Sequence, residues 1–188
     1  MSPIPIAGPA VEPVTLAEAK AYLRLDGDDE DAVVASLVAA ARQVLECATR
    51  RAFIAQTWRV RLDRWPEGRV VALPLAPVLA VAAVRVSPGA GPALVLDPAL
   101  WRLETDAEPP RLVADPAAPD PGIPSGGIEI DATYGFGPAP ADVPAPLRLA
   151  IQRLAARWFE RRGDEDGEGV MPAEILSLVA PFLRPRIA

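Results

Sequence analysis

The chain has 188 residues, 51% of them hydrophobic, with 19 basic and 25 acidic side chains and a formal net charge of −6. That length builds one ordinary core, or a core with a small lobe, and the negative balance argues against wrapping nucleic acid, which needs a concentrated positive surface. Histidine is absent and Cys47 is the single cysteine, which excludes Ser-His and Cys-His nucleophile pairs, His-liganded metals, Cys-based zinc sites and an intrachain disulfide; neither an enzyme nor a cofactor is expected.

Residues 1–9 carry no basic residue ahead of their apolar part, and have prolines where a signal peptide needs a continuous apolar helix. Pro or Arg interrupts the longest apolar stretches well short of membrane-spanning length, so a soluble protein with no membrane partner is expected. Thr15 and Glu18 have the spacing of a capping box and open a short helix over 16–25. Gly27 stops it, and Asp28 can cap a second helix over 29–51. The apolar positions of this helix, Val34, Leu37, Val38, Ala41, Val44, Leu45 and Ala48, recur at three- and four-residue steps. Asp29, Glu30 and Asp31 in its first turn and Arg50 and Arg51 at its end complement the helix dipole.

The period then changes to two. Trp58, Val60 and Leu62 point one way, and Arg59, Arg61 and Asp63 the other, as in a half-buried strand. Short strand-like runs follow at 69–73, 80–86, 93–96, 101–104, 111–113 and 128–134, separated by Pro- and Gly-rich turns too short for crossover helices, so the strands should pair antiparallel. The six prolines in 109–124 predict a largely exposed loop there. Helical periodicity returns over 144–162, with Leu147, Ile151, Leu154, Ala155 and Trp158 on the apolar face and Arg148, Gln152, Arg153, Arg157 and Arg161 away from its centre. An acidic, Gly-containing link at 163–169 leads to a last helix over 173–180, opened by Pro172 and closed by Pro181. The expected class is α+β, a helical body with helices near 16–25, 29–51, 144–162 and 173–180 and a mid-chain antiparallel β unit over 57–134. The corresponding segments are 1–56, the β insertion 57–137, the third helix and acidic link 138–170, and a C-terminal helix and arm 171–188.

Motifs that suggest chemistry fail in detail. A calcium loop starting at Asp26 would need Gly where Asp31 stands and Glu where Leu37 stands. A second, from Asp164, ends on Ile175 and contains Pro172, so an acidic linker is the better reading. The Tyr134-Gly-Phe-Gly137 turn resembles a phosphate loop, but the prolines that follow lack the amides phosphate binding uses; it reads as the turn that leads the chain out of the β unit. Arg148, Arg153, Arg157, Arg161 and Arg162 make the third helix basic. No aromatics interleave with them for base stacking, which favours a solvated or subunit-contacting face, with the acids at 28–31 of a neighbouring copy as partners. The tail, with Ile175, Leu176, Leu178, Val179, Phe182, Leu183 and Ile187 among prolines and arginines, either packs on its own core or docks into a partner.

The order of these elements resembles the head-tail connector, or adaptor, family of tailed phages and gene transfer agents. The likeness is carried by Val14-Thr-Leu-Ala-Glu-Ala-Lys-Ala-Tyr-Leu-Arg-Leu25 with Asp31 after an acidic link, then Leu37, Ala40-Ala-Arg42, Glu46, Thr49-Arg-Arg51 and Gln56-Thr-Trp58. It continues through Leu73-Pro74, Pro77-Val78, Tyr134-Gly-Phe-Gly137, Val143-Pro144, Leu147, Ala150-Ile151 and the closing residues 178–184. It spans most of the chain, and residues 89–125 match least.

The resemblance implies a non-enzymatic virion component at the head-tail junction, assembled in the host cytoplasm. It would be a subunit of a homo-oligomeric, dodecameric ring closed by heterologous interfaces. The portal protein would lie on the head side and a stopper or tail protein on the tail side, with DNA passing through an acidic lumen without sequence-specific binding. In that setting Leu178, Phe182, Leu183, Arg184, Arg186 and Ile187 would bind the portal, and Asp28, Asp29, Asp31, Arg153, Arg157 and Arg161 would join subunits. The alternatives are another neck protein, a stopper or tail terminator, which tend to be shorter and mostly β, or a small DNA-binding accessory factor using the arginines of the third helix.

Overall fold

In a computed structural model the described residues are 2–89, 91–161 and 171–183. They form two compact units, each assembled from two stretches of chain: Met1–Pro9 with Ala55–Gly135, and Ala10–Ile54 with Phe136–Ala188. The class is α+β, as expected, with antiparallel sheets in the first unit and helices in the second.

The helical unit contains α1 (Leu16–Leu23), α2 (Asp31–Thr49), α3 (Ala145–Glu160) and α4 (Ala173–Val179). The capping box forms: the Glu18 amide donates to Thr15 Oγ1 at 3.2 Å, and the Thr15 amide donates to Glu18 Oε2 at 2.8 Å. Arg24, in the left-handed region at φ 57°, ends α1. α2 starts at Asp31, two residues later than periodicity suggests, and Asp28 does not cap it. The Asp28 carboxylate is instead held by Lys20 Nζ at 2.8 Å, a stronger charge-assisted partner than a backbone amide. α2 buries Val34, Val38, Ala41 and Leu45, whereas Val44 and Ala48, expected on the same face, are exposed. Arg42 is buried, its guanidinium donating to Glu12 at 2.7 Å and to Glu46 at 2.6 Å. Burial alone would lower its pKa; the two carboxylates outweigh that and keep it charged. The core is completed by Leu147, Ala150, Ile151 and Leu154 of α3 and by Ile175 and Val179 of α4. The α-helical part of the last helix stops at Val179, and Pro181 lies within a 3₁₀ turn, Ala180–Phe182.

The β unit holds two sheets. β2 (Gln56–Leu62), β4 (Val78–Val86), β5 (Leu94–Val95) and β8 (Ile128–Tyr134) join β1 (Ser2–Ala7) in a five-stranded sheet of order β1-β2-β8-β4-β5. β3 (Val70–Ala72), β6 (Trp101–Glu104) and β7 (Arg111–Ala114) make a three-stranded sheet of order β3-β7-β6. Every pairing is antiparallel, as the short connections require. The alternation seen in sequence is real: Ile128, Ile130, Ala132 and Tyr134 are wholly buried on one face of β8, opposite Val60 of β2 and Val84 and Val86 of β4.

Two features of the β unit also depart from the sequence reading. Periodicity gives no sign of β1, because Pro3 and Pro5 depress strand propensity; at a sheet edge proline is tolerated where its missing amide would face away from the neighbouring strand. The proline-rich segment 109–124 is loop outside β7, which forms at the predicted run 111–113, but it is less exposed than expected: Pro110, Leu112, Ala114 and Ala118 are buried. Its remainder is tied down by Arg69, which donates to the Ala118 carbonyl at 2.7 Å and to Asp120 at 2.8 Å, and by Trp65 Nε1, which donates to the Pro119 carbonyl at 3.0 Å. Gly135 has φ 140°, open to glycine but not to a side chain, at the point where the chain leaves β8.

Candidate assembly surfaces

α4 and its 3₁₀ turn carry two of the predicted portal-binding residues, Leu178 and Phe182, and Leu183 follows directly. Ile175 and Val179 are fully buried, which fixes the helix against α3. Leu178 and Phe182 are half-buried and pack against the same core. The Phe182 ring meets Phe136 edge-on at 6.4 Å, and its carbonyl accepts from Arg51 Nε at 2.9 Å. Leu178 and Phe182 therefore anchor the tail to its own unit. Leu183, 37% exposed, and Leu176, 44% exposed, turn outward. Arg184, Arg186 and Ile187 lie outside the described residues, as does the acidic link 163–169.

The residues predicted to join subunits fall into two clusters on the helical unit. Asp28, Asp29 and Asp31 gather at the start of α2. Asp28 and Asp31 both grip Lys20, at 2.8 and 2.6 Å, while Asp29 is exposed. The hydrogen bond to Asp28, followed by that to Asp31, raises the Lys20 pKa, and Lys20 in turn holds the Asp28 carboxyl below its ordinary range. Arg153, Arg157 and Arg161 recur every four residues on α3 and line one cleft of about 360 Å³ with Tyr22, Glu160 and Glu174. Arg157 Nη1 stands 3.9 Å from Glu174, and Arg153 and Arg161 are exposed. This cleft offers planar, charged donors to a carboxylate.

A third cluster escaped the site reading. On the face of the five-stranded sheet opposite its buried face, Asp131 of the central strand β8 accepts from Arg59 at 2.6 and 2.9 Å and from Arg85 at 2.5 Å. Glu129 pairs with Arg59 at 3.2 Å and with Arg61 at 3.3 Å. The Arg59 hydrogen bond holds the Asp131 carboxyl below the ordinary range, against the upward push of burial, with Arg85 adding to it. The signal was present as Arg59 and Arg61 in one strand and Glu129 and Asp131 in another, but only the register Arg59↔Asp131 brings them together.

Among the described residues no group of three or more His, Cys, Asp or Glu is placed to hold a metal ion. α2 is long and apolar enough to cross a membrane by length and composition, a test that core helices also pass.

Comparison with known proteins gives a sharp result. No family model matches the chain, and no curated protein does. Among solved structures it is similar to a chain from the neck of an empty gene transfer agent particle computed with C6 symmetry, at 34% identity and a TM-score of 0.85, covering 100% of this chain and 98% of that one. The chain belongs to the head-tail connector family of tailed phages and gene transfer agents. A chain of the native gene transfer agent virion matches this connector-family member at 34% identity and a TM-score of 0.83, covering 100% and 98% of the two chains. A chain from the native neck computed with C12 symmetry matches at 33% identity and a TM-score of 0.74, covering 97% of each. Family membership makes it a structural protein of the neck, at the head-tail junction of a phage-like particle.

Proposed function

We propose that the chain is the adaptor subunit of that junction, a non-enzymatic part of a ring that sits between portal and tail and continues the DNA channel. The observation that carries this is the likeness over the whole length of both chains to proteins of particle necks, two of them computed with six- and twelvefold symmetry. A dodecameric ring of identical copies needs two different faces per subunit. The arginine cleft of α3 and the acids at the start of α2 supply faces of opposite sign, which supports Arg153, Arg157 and Arg161 meeting Asp28, Asp29 and Asp31 of the next copy. The net charge of −6 suits DNA transit without sequence-specific binding.

In this reading the head-side contact is the tail from Leu183 onward, including Arg184, Arg186 and Ile187, and it continues from Leu178 and Phe182, which are anchored in the core of the helical unit. Electron micrographs of the purified chain with its cognate portal test the reading. A ring stacked coaxially on the portal is expected, and removal of 183–188 is expected to abolish it while leaving the helical content unchanged. A full-length chain that stays monomeric beside the portal, or that instead retains DNA in a salt-dependent way, overturns the proposal.

A further inference from the structure

α2 presents a face that a solvated helix does not have. Of its 19 residues only Asp31, Arg42 and Glu46 are charged. Asp31 is paired with Lys20 at the helix start, and Arg42 is buried and turned toward Glu12 and Glu46. The exposed side of the helix carries Ala32, Ser36, Gln43, Val44 and Cys47, with Val44 44% exposed. No charge interrupts it over four turns, whereas the water-facing side of an amphipathic helix ordinarily bears charged residues.

We infer that this charge-free face of α2 is the centre of the contact between neighbouring copies, an inference that rests on the ring reading above. Three observations name a second copy as the occupant. Necks containing the relatives of this chain are computed with C6 and C12 symmetry, so identical chains are repeated about one axis there. The charge-free face begins immediately beyond the acids Asp28 and Asp29, and the same helical unit exposes Arg153 on α3 and Arg161 just after it, so each copy carries the two opposite charges that a head-to-tail contact can pair. The strip is made of small and medium side chains, which permit close approach of another protein's backbone. α2 does not span a bilayer, because its opposite side, with Val34, Val38, Ala41 and Leu45, is built into the core and cannot leave it without unfolding the unit.

The single cysteine provides the test, since Cys47 lies on this face and is exposed. With benzophenone attached at Cys47, the full chain assembled on its portal and irradiated should give a product of twice the chain mass. A product joining it to the portal or a tail protein overturns the inference, as does no product at all or flotation of the chain with phospholipid vesicles. In parallel, Val44→Asp should keep the wild-type circular dichroism and lose incorporation into portal-bound rings by about tenfold or more, the effect of an unpaired charge at an apolar contact. Normal rings of Val44→Asp overturn this inference and leave the ring reading standing. Failure of the unmodified chain to form any ring overturns both.

Discussion

Asp131 shows what one residue carries in this fold. Its side chain is 10% exposed yet bears a charge, and Arg59 and Arg85 converge on it from the two strands that flank β8. Removing its carboxylate leaves two partly buried guanidinium groups without the acceptor they share. Asp131→Ala should therefore destabilise the β unit by about 2–3 kcal/mol, less than for a wholly buried pair because the arginines are about one third exposed, read as a lower urea midpoint at unchanged slope. The same residue sets a pH dependence. Its folded pKa lies below the unfolded value, so its stabilisation is complete above that unfolded value, about 3.9, and is lost as the pH falls through the folded one. Urea titrations at a series of acidic pH values should show this loss in the wild-type chain and a flatter profile in Asp131→Asn.

At the scale of an element, α4 is a seven-residue helix too short to persist alone, and it is held by Ile175 and Val179 in the core of the helical unit. Ile175→Ala should cost about 2–4 kcal/mol through the cavity it leaves and, if the proposed portal contact holds, should weaken it by loosening the anchor at Phe182. Leu176→Ala, at an exposed position on the same helix, should leave the thermal midpoint within about a degree or two. Comparing the two by calorimetry separates the side of α4 that holds the fold from the side that faces outward. Sequence periodicity located α4 and its proline boundaries but left open whether its apolar residues faced inward or outward. Both occur, because a helix of two turns has only one side that a core can cover.

At the scale of the whole molecule, each unit is closed by segments distant in sequence. β1, from the chain start, pairs with β2 over the register Ser2↔Arg61 to Ala7↔Thr57 and forms the edge of the five-stranded sheet. With prolines at positions 3 and 5 this edge is poorly suited to accept another strand, whereas β2 contains no proline. Deleting residues 1–9 should therefore leave the helical unit folded but expose β2 and promote concentration-dependent self-association. Sedimentation velocity across a dilution series checks this; a deleted chain that stays monodisperse contradicts the protective role of β1.

Amphipathic spacing and capping chemistry are local properties, so the sequence alone determined the helices, the alternating strands and the antiparallel pairing. The capping box, the buried stripe of α2 and the Gly135 turn were legible for that reason. Tertiary structure decided whatever depends on partners far away in the chain. It drew β1 into the sheet despite two prolines, turned Asp28 from a cap into a ligand of Lys20, buried part of the proline-rich segment under Arg69 and Trp65, and placed Asp131 between two arginines. It also divided the apolar residues of α2 between core and surface. Periodicity reports that a face is apolar; only the arrangement of neighbours determines how much of that face the chain covers by itself and how much is left for another molecule.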